Sequence, residues 1–260
     1  MTTAVRLDGV SKRFQSRRQT TQALADVSLE IADGEFCCIV GPSGCGKSTL
    51  LRVIGGMSEY DGEVELMEPV GDRPRTATVF QDHGLFPWMK ILDNVAFGLK
   101  AQGWSRARRH ARAREFLGVV GLADYARAYP KELSGGMRQR AAIARTFASD
   151  PTILLMDEPL SSLDEQTKLT LQAQLTRIWE AHRKTVVYIT HSIDEAILLA
   201  DKVVILTPGP GRVQEIIDVA ALFPRPRDVD AVRATKEFGE LFQHIWGSLR
   251  QPGLQREEPA

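Results

Sequence analysis

Apolar and polar positions along the chain follow two different periods. Compact apolar runs predict buried β-strands at 36–40, 76–80, 153–156 and 185–190, with closing strands at 203–206 and 213–217. Apolar residues at helical spacing predict helices at 47–57, 134–149 and 166–183. Since strands and helices alternate, the pattern predicts an α/β fold with a mostly parallel sheet covered on both faces.

The beginning and the middle of the chain depart from this alternation. Residues 5–10 and 25–31 read as strands around an exposed loop at 15–22, and they predict an N-terminal antiparallel β subdomain. Residues 91–129 have helical spacing and are rich in alanine, leucine and arginine. They predict a helical insert at about 85–135.

The last part of the chain predicts one more helix, after a rigid spacer at 224–226. Its apolar stripe is formed by Phe238, Leu241, Phe242, Ile245 and Leu249. The simplest interpretation is that the stripe packs on the chain's own sheet, and docking on a partner is the alternative. We therefore expect a main domain at 1–222 and a C-terminal amphipathic helix with its tail at 223–260.

Composition narrows the class of protein. The chain has 260 residues, of which 43% are hydrophobic and 25% charged, as in an ordinary globular protein. Lys plus Arg equals Asp plus Glu at 33 each, and this balance weighs against a nucleic-acid binder. The three cysteines are clustered and odd in number, so a reducing cytosol is the simplest setting. No apolar run approaches the length of a membrane span, so any membrane role requires docking on another protein.

A glycine-rich loop follows the predicted strand at 36–40. It has the GxxxxGK[ST] pattern and reads Gly41, Pro42, Ser43, Gly44, Cys45, Gly46, Lys47, Ser48 and Thr49. Its glycines let backbone N–H groups turn toward phosphate oxygens, and the N-terminus of the following helix adds a positive dipole. Lys47 can reach the β- and γ-phosphates, and the Ser48 hydroxyl can bind Mg²⁺. The loop therefore predicts a nucleotide site.

Two carboxylates follow the predicted strand at 153–156. Asp157 and Glu158 would lie at the carboxyl edge of the sheet, where open α/β sheets bind ligands. We expect Asp157 to hold Mg²⁺, mostly through its water shell, and Glu158 to act as the general base on the attacking water.

A second anion-binding pattern lies about ninety residues after the first. Ser134, Gly135 and Gly136 open an apolar helix, and Ser134 is suited to cap it. One polyphosphate does not need two anion sites from one chain. Two copies arranged head to tail would let the second site of each copy close over the nucleotide of the other, which predicts an ATP-driven dimer.

The order of these motifs resembles that of ATP-binding cassette (ABC) ATPases over about residues 5–217. The resemblance is carried by the motifs at 41–49, 81, 133–137, 153–158, 161–164 and 191. It implies that Gln81 senses the γ-phosphate through Mg²⁺, that Asp164 lies across a dimer interface, and that His191 is the switch histidine that orients Glu158. Ser134, Gly135 and Gly136 would bind the γ-phosphate held by the partner copy. Phe14 matches the position of the aromatic platform for adenine.

Several sequence segments narrow the resemblance to one branch of the ABC family. The segments 79–88, 133–140, 190–196, 208–213 and 224–228 look like those of nitrate, sulfonate and taurine importers, although thiamine-precursor and riboflavin importers share much of this wording. The implied partners are a transmembrane permease, a second ATPase subunit and, indirectly, an extracytoplasmic solute-binding protein, at the cytoplasmic face of the cell membrane. We expect Phe86 and Trp88 to contact the permease. The transported solute is not readable from this chain.

Two alternatives belong to other classes. A soluble ABC ATPase acting on nucleic acid or ribosomes would carry a long coiled-coil insertion or a tandem cassette, and the chain shows neither. A P-loop kinase would leave Gln81, His191 and the second anion site without a role.

Four further expectations concern single features. Met137 and Ser162 depart from the commoner Gln and Ala of the family without changing the class. Arginines at 106–114 fall all round one helix and are expected to be solvated. Residues 192–195 predict a capping box. Cys45 is expected to be exposed without nucleotide, so that thiol alkylation should inhibit ATP hydrolysis and ATP should protect.

Overall fold

The computed structural model describes residues 2–15, 20–69, 71–82, 84–161 and 163–250. His83, in the segment 79–88, and Ser162 lie outside the described residues, as do residues 16–19 of the loop expected at 15–22 and residues 251–260 of the expected C-terminal tail. Among the described residues no helix combines the length and the apolar character that crossing a membrane requires.

The strands and helices alternate as the apolar pattern predicts. The strands are β1 (Thr3–Gln15), β2 (Thr20–Ala32), β3 (Phe36–Val40), β4 (Asp61–Leu66), β5 (Thr76–Val79), β6 (Ile153–Asp157), β7 (Thr185–Ile189), β8 (Lys202–Leu206) and β9 (Val213–Asp218). The helices are α1 (Lys47–Ile54), α2 (Ile91–Val95), α3 (Phe97–Ala101), α4 (Arg106–Val119), α5 (Gly135–Ala148), α6 (Glu165–His182), α7 (Ile193–Leu199), α8 (Val219–Leu222), α9 (Val229–Arg233) and α10 (Lys236–Arg250).

The described residues form two sheets. The larger has the order β5-β6-β7-β3-β8-β9, and its neighbours are parallel except for the antiparallel pair β8 and β9. The smaller is antiparallel, with the order β2-β1-β4. The sequence predicted a mostly parallel sheet and an antiparallel one, but β1 and β2 are longer than the runs at 5–10 and 25–31 that predicted them.

The central strand β3 separates two hydrophobic cores. All five of its residues are buried. Cys37 faces the core formed with β1, β2 and α1, and Cys38 faces the core formed with the helical insert, α6 and α7. These two cysteines therefore fill space on opposite faces of one strand.

The helical insert packs on the second of these cores. Helix α5 lies against α2, α3 and α4 and reaches β5. The arginines of α4 are not uniformly solvated: the guanidinium of Arg108 stacks 3.6 Å from the ring centroid of Trp104, and that of Arg112 lies 4.5 Å from Phe116. Their aliphatic stems and planar heads cover aromatic surface, so this face of the insert is partly packed.

The C-terminal helix α10 packs on the chain itself. It contacts α7, α9 and β8, and it buries Phe238, Leu241 and Ile245. Its main neighbour is therefore a helix and not the sheet face that the sequence suggested.

Candidate functional site

The glycine-rich loop joins β3 to α1 and contains a backbone shape that requires glycine. Gly46 caps α1 with φ near +100°, and a Cβ at this position would lie 2.6 Å from the carbonyl oxygen of Ala23. A side chain is therefore excluded both by conformation and by space. This close approach sets the loop against β2 and aims the first N–H groups of α1 at the cavity in front of them.

Lys47 lies inside the loop. Its ammonium group donates to the carbonyl oxygens of Gly41, at 2.8 Å, and Pro42, at 3.0 Å. A cavity of about 250 Å³ opens beside it, lined by Ala23, Ser43, Gly44, Gly46, Lys47, Ser48, Thr49 and Glu158. The loop thus presents a cation and backbone donors to one concave space, as a phosphate group requires.

Ser48 and Asp157 meet across the sheet edge. The Ser48 hydroxyl donates to Oδ1 of Asp157 at 2.9 Å. Burial raises the pKa of Asp157, and the hydrogen bond from Ser48 works in the opposite direction. A hydroxyl and a carboxylate held together at a phosphate site are ligands that Mg²⁺ prefers. The residues present therefore fit a magnesium ion.

Glu158 follows Asp157 in an unusual backbone conformation. Its φ is +47°, in the left-handed region that a non-glycine residue rarely adopts. Its N–H donates to the carbonyl oxygen of Ile189, which ties the turn to the end of β7. Nδ1 of His191 lies 3.3 Å from its Oε2. The strained turn thus brings the carboxylate to the cavity beside an imidazole, and strain of this kind is concentrated at functional sites.

Cys45 is buried, and the expectation that it is exposed is wrong. It is 1% exposed, and a Cβ added at Gly41 would lie 2.7 Å from its sulfur. The thiol therefore points back toward the end of β8 and away from the cavity. Burial raises the pKa of Cys45, although Lys47 opposes this effect. Both properties lower the reactivity of the thiol.

Phe14 lies on β1, apart from the loop cavity. Its side chain is 46% exposed, and the ammonium of Lys12 lies 5.2 Å from its ring centroid. Together with Tyr60 these residues line a separate open pocket. The ring is thus free to stack with a planar group.

Gln81 lies just beyond β5. Val79 pairs with Met156, so Gln81 stands near the same sheet edge as Asp157, with its side chain exposed. Arg145 of α5 donates to the carbonyl oxygen of Gly84 at 2.6 Å. The segment after Gln81 is therefore fastened to the helix that Ser134 caps.

Ser134 and Asp164 are both helix caps. Ser134 Oγ accepts from the N–H of Met137 at 3.3 Å and caps α5 as predicted, while Asp164 Oδ1 accepts from Thr167 at 2.9 Å and caps α6. A hydrogen bond with the side chain of Thr167, helped by the bond from the Thr167 N–H, holds the pKa of Asp164 below its usual range. Gly136 approaches Leu163 closely, since a Cβ there would lie 2.9 Å from the leucine side chain. Gly136 therefore lies against Leu163, the residue before Asp164, and neither the glycine pair nor Asp164 lines the cavity at the glycine-rich loop.

A family model described as ABC transporter matches residues 24–161, more than half of the chain. The chain belongs to the ABC transporter family. The taurine import ATP-binding protein of Burkholderia pseudomallei is 43% identical over 241 residues, which cover 89% of this chain and 91% of that relative. An aliphatic sulfonates import ATP-binding protein of Bacillus cereus is 37% identical over 253 residues, 96% of this chain and 97% of the relative.

Solved ABC cassettes share the fold. A dimeric cassette in a post-hydrolysis state, bound to ADP and Pi, superposes with a TM-score of 0.74 at 34% identity, covering 83% of this chain and 98% of that one. The nucleotide-binding expectation and the P-loop fold class are confirmed at the level of the family. The expectation that the protein is an ATPase is confirmed in the same way.

The ABC site contains a polar cluster that the sequence pattern misassigned. Ser192 Oγ accepts from the N–H of Glu195, as a capping box requires. The Glu195 carboxylate, however, does not return to Ser192; it accepts from Tyr188, Thr190 and Lys168. The predicted box is therefore only half formed. Tyr188 and Lys168 carry no local signal for this role, since only the fold brings them together.

Proposed function

We propose that the chain is the ATP-hydrolysing subunit of an ABC importer for sulfonates or taurine. The proposal rests on the similarity to relatives named for taurine and aliphatic sulfonate import, which covers most of this chain. Thiamine-precursor and riboflavin importers remain the alternative within the family. We assign the ATPase to 1–222, with the insert at about 85–135, and the C-terminal amphipathic helix with its tail to 223–260.

The ATPase mechanism rests on two hydrogen-bonded pairs, each of which contributes one residue, Ser48 or Glu158, to the lining of one cavity. Ser48 contacts Asp157, and Glu158 contacts His191, while the phosphate loop lines the space beside them. Backbone N–H groups of 41–49 and Lys47 bind the phosphates of ATP. Glu158 accepts the proton of the attacking water, and His191 orients Glu158 and holds the γ-phosphate.

We assign different residues to the binding of magnesium and of adenine. Ser48, Asp157 and Gln81 would hold Mg²⁺, which would neutralise negative charge on the phosphates. Phe14 stacks on the adenine.

A second copy completes the site. Ser134 is exposed and Gly135 and Gly136 are partly buried, at a helix start that does not line their own chain's cavity, and Gly136 lies against Leu163, the residue before Asp164. We assign them to the γ-phosphate and the interface of the partner copy. The solved cassette bound to ADP and Pi, which is dimeric, supports this arrangement.

The permease contact is assigned to Phe86 and Trp88. Trp88 is 70% exposed, and the rings of Phe86, Trp88 and Phe97 pack together beside a groove of about 290 Å³. Exposed aromatic side chains are typical anchors of protein interfaces. We place the subunit at the cytoplasmic face of the cell membrane, where the permease carries solute delivered by a binding protein, with no role for nucleic acid.

The catalytic proposal is tested by Glu158→Gln. The amide keeps the shape of the side chain but cannot accept a proton, so kcat for phosphate release from MgATP falls by about 100-fold to 10,000-fold. The same variant in excess MgATP sediments as a dimer. Unchanged hydrolysis, or a strictly monomeric variant both alone and with its permease, contradicts the proposal.

The import proposal is tested in cells that lack the gene. We expect growth with taurine or an alkanesulfonate as the only sulfur source to be lost, and to return with the wild-type gene but not with Glu158→Gln. A requirement for thiamine precursor or riboflavin instead would favour the alternative importers. Stimulation of the purified ATPase by nucleic acid would favour the soluble class, and a phosphorylated acceptor would favour a kinase.

A further inference from the structure

A buried carboxylate lies behind the segment that carries His191. Glu195, on α7, is 2% exposed. Its Oε2 accepts from the hydroxyls of Thr190, at 2.7 Å, and Tyr188, at 2.8 Å, and its Oε1 lies 2.7 Å from the ammonium of Lys168. A buried charge is stable only when it is paired and hydrogen-bonded, and both oxygens meet that condition here.

One donor to this carboxylate is a buried tyrosine hydroxyl. Burial and the neighbouring Glu195 raise the pKa of Tyr188 well above its ordinary value, so its hydroxyl stays a donor. Lys168 is largely buried and directly paired. The cluster is therefore ordered by charge-assisted hydrogen bonds and not by packing alone.

Thr190 connects this cluster to the backbone beside His191. Its Oγ1 donates to Glu195 and at the same time accepts from the N–H of Ser192 at 3.0 Å. Its own N–H donates to the carbonyl oxygen of Ile39 on β3. Thr190 and Ser192 thus fix the main chain on both sides of His191, whose side chain is exposed and reaches Glu158.

Lys168 extends the cluster to the start of α6. Its N–H donates to the carbonyl oxygen of Asp164, one turn earlier, and its side chain bonds to Glu195. The segment that begins α6, next to Gly136, and the segment that carries His191 are therefore joined by one buried ion pair.

We propose that Glu195 and Thr190 are positioning residues for hydrolysis. They hold the backbone of His191 in the conformation that brings its imidazole to Glu158. This inference rests on the role proposed for His191. Glu195 does not line the cavity at the glycine-rich loop; it acts through the Thr190 hydroxyl. Displacing a catalytic group by about 1 Å can reduce a rate by about 100-fold. Loss of a contact in this cluster is therefore expected to lower kcat.

The test uses Thr190→Val in the full chain, assayed with MgATP well below its thermal midpoint. Valine keeps the shape of threonine but removes the hydroxyl that bridges Glu195 and Ser192. We expect kcat to fall by about 10-fold to 100-fold with little change in KM, because the nucleotide contacts lie elsewhere. Thr190→Ser, which retains the hydroxyl, restores most of kcat. Glu195→Gln and Lys168→Met lower kcat in the same direction.

A matched control separates positioning from general loosening. Thr176 is equally buried on α6, and its hydroxyl donates within its own helix to Gln172. Thr176→Val therefore makes the same chemical change away from the site. It should lower the thermal midpoint to a similar degree and leave kcat unchanged.

A double-variant cycle decides the route of the effect. If Thr190 acts through His191, Thr190→Val lowers kcat no further once His191→Ala is present. Additive losses, or a Thr190→Val variant that behaves like Thr176→Val, overturn the inference. A His191→Ala variant with wild-type kcat contradicts the proposed role of His191 instead, so the two failures are distinguishable.

Discussion

The packing of α10 on its own chain makes a quantitative prediction at Ile245. This side chain is 0% exposed, between α10 and the core that contains α7. Ile245→Ala removes three carbon atoms, and each buried methylene contributes about 0.8 kcal/mol, giving about 2.4 kcal/mol of lost transfer free energy. A residual cavity adds to this value. We expect the free energy of unfolding to fall by about 3 kcal/mol, within the range of about 2–5 kcal/mol observed for such substitutions.

The matched control is the same substitution on an exposed isoleucine. Ile216, on the edge strand β9, is 48% exposed. Because half of its surface is already in water, Ile216→Ala should cost about 1 kcal/mol, partly from lower β-propensity.

Urea unfolding followed by far-UV circular dichroism and tryptophan fluorescence measures both variants. Coincident transitions by the two probes justify a two-state analysis. With a slope of about 2–3 kcal/mol per M, Ile245→Ala shifts the midpoint by about 1 M. A difference of less than about 0.5 kcal/mol between the unfolding free energies of the two variants would be too small for a buried site. Such a result would mean that α10 does not pack on this chain and that its stripe is free for a partner.

Three further predictions follow from single positions. At pH 7.5 a thiol reagent should leave Cys45 unmodified in the native protein and react fully after denaturation, monitored by thionitrobenzoate absorbance; one rapid thiol per native chain would contradict its burial. Because burial raises the pKa of Asp157, its charge lowers stability above that raised pKa and not below the ordinary value; Asp157→Asn should therefore raise the thermal midpoint by a few degrees at pH 7.5 and show no gain near pH 3, while ATP hydrolysis is lost. Trp88→Ala should weaken the affinity for the solubilised permease by about 30-fold, measured by biolayer interferometry, whereas Tyr125→Ala, also exposed, should not.

The fold could be predicted where one local signal decides it. The buried run at β3 followed by a glycine loop predicted both the central strand and the candidate phosphate site, and Ser134 marked the residue before α5. The length of α1 was overestimated, because the apolar spacing continues to Met57 while the helix ends at Ile54 before a glycine pair. Glycine there changes the backbone without changing the apolar pattern.

The directions of side chains inside the loop could not be predicted in the same way. The GxxxxGK[ST] pattern states which residues form the turn, but not which of them faces the ligand. Cys45 turns inward because Gly41 leaves space for its sulfur, and that space exists only once β8 lies beside β3. A residue of the motif can therefore belong to the hydrophobic core.

Residues 192–195 show a second limit, because one pattern fits two structures. A glutamate three residues after a serine can close a capping box or turn into the protein. Here Lys168, Tyr188 and Thr190 supply three donors to Glu195, two of them from β7 and its end and one from α6. The donors are stronger than a single backbone N–H, so the carboxylate turns inward, and only the tertiary fold decides between the two structures.

The Ser134 hydroxyl also has two possible roles, capping its helix and binding a phosphate, and it can fill both. Its Oγ already accepts from the N–H of Met137 to cap α5. A hydroxyl has one proton to donate and a second acceptor position, so capping leaves the O–H free to donate to a phosphate oxygen. Asp164 in the neighbouring cap has no such proton, and its negative charge would repel a γ-phosphate. The two caps beside Gly136 are therefore suited to different tasks in the proposed dimer: Ser134 to the nucleotide of the partner copy, and Asp164 to the protein surface around it.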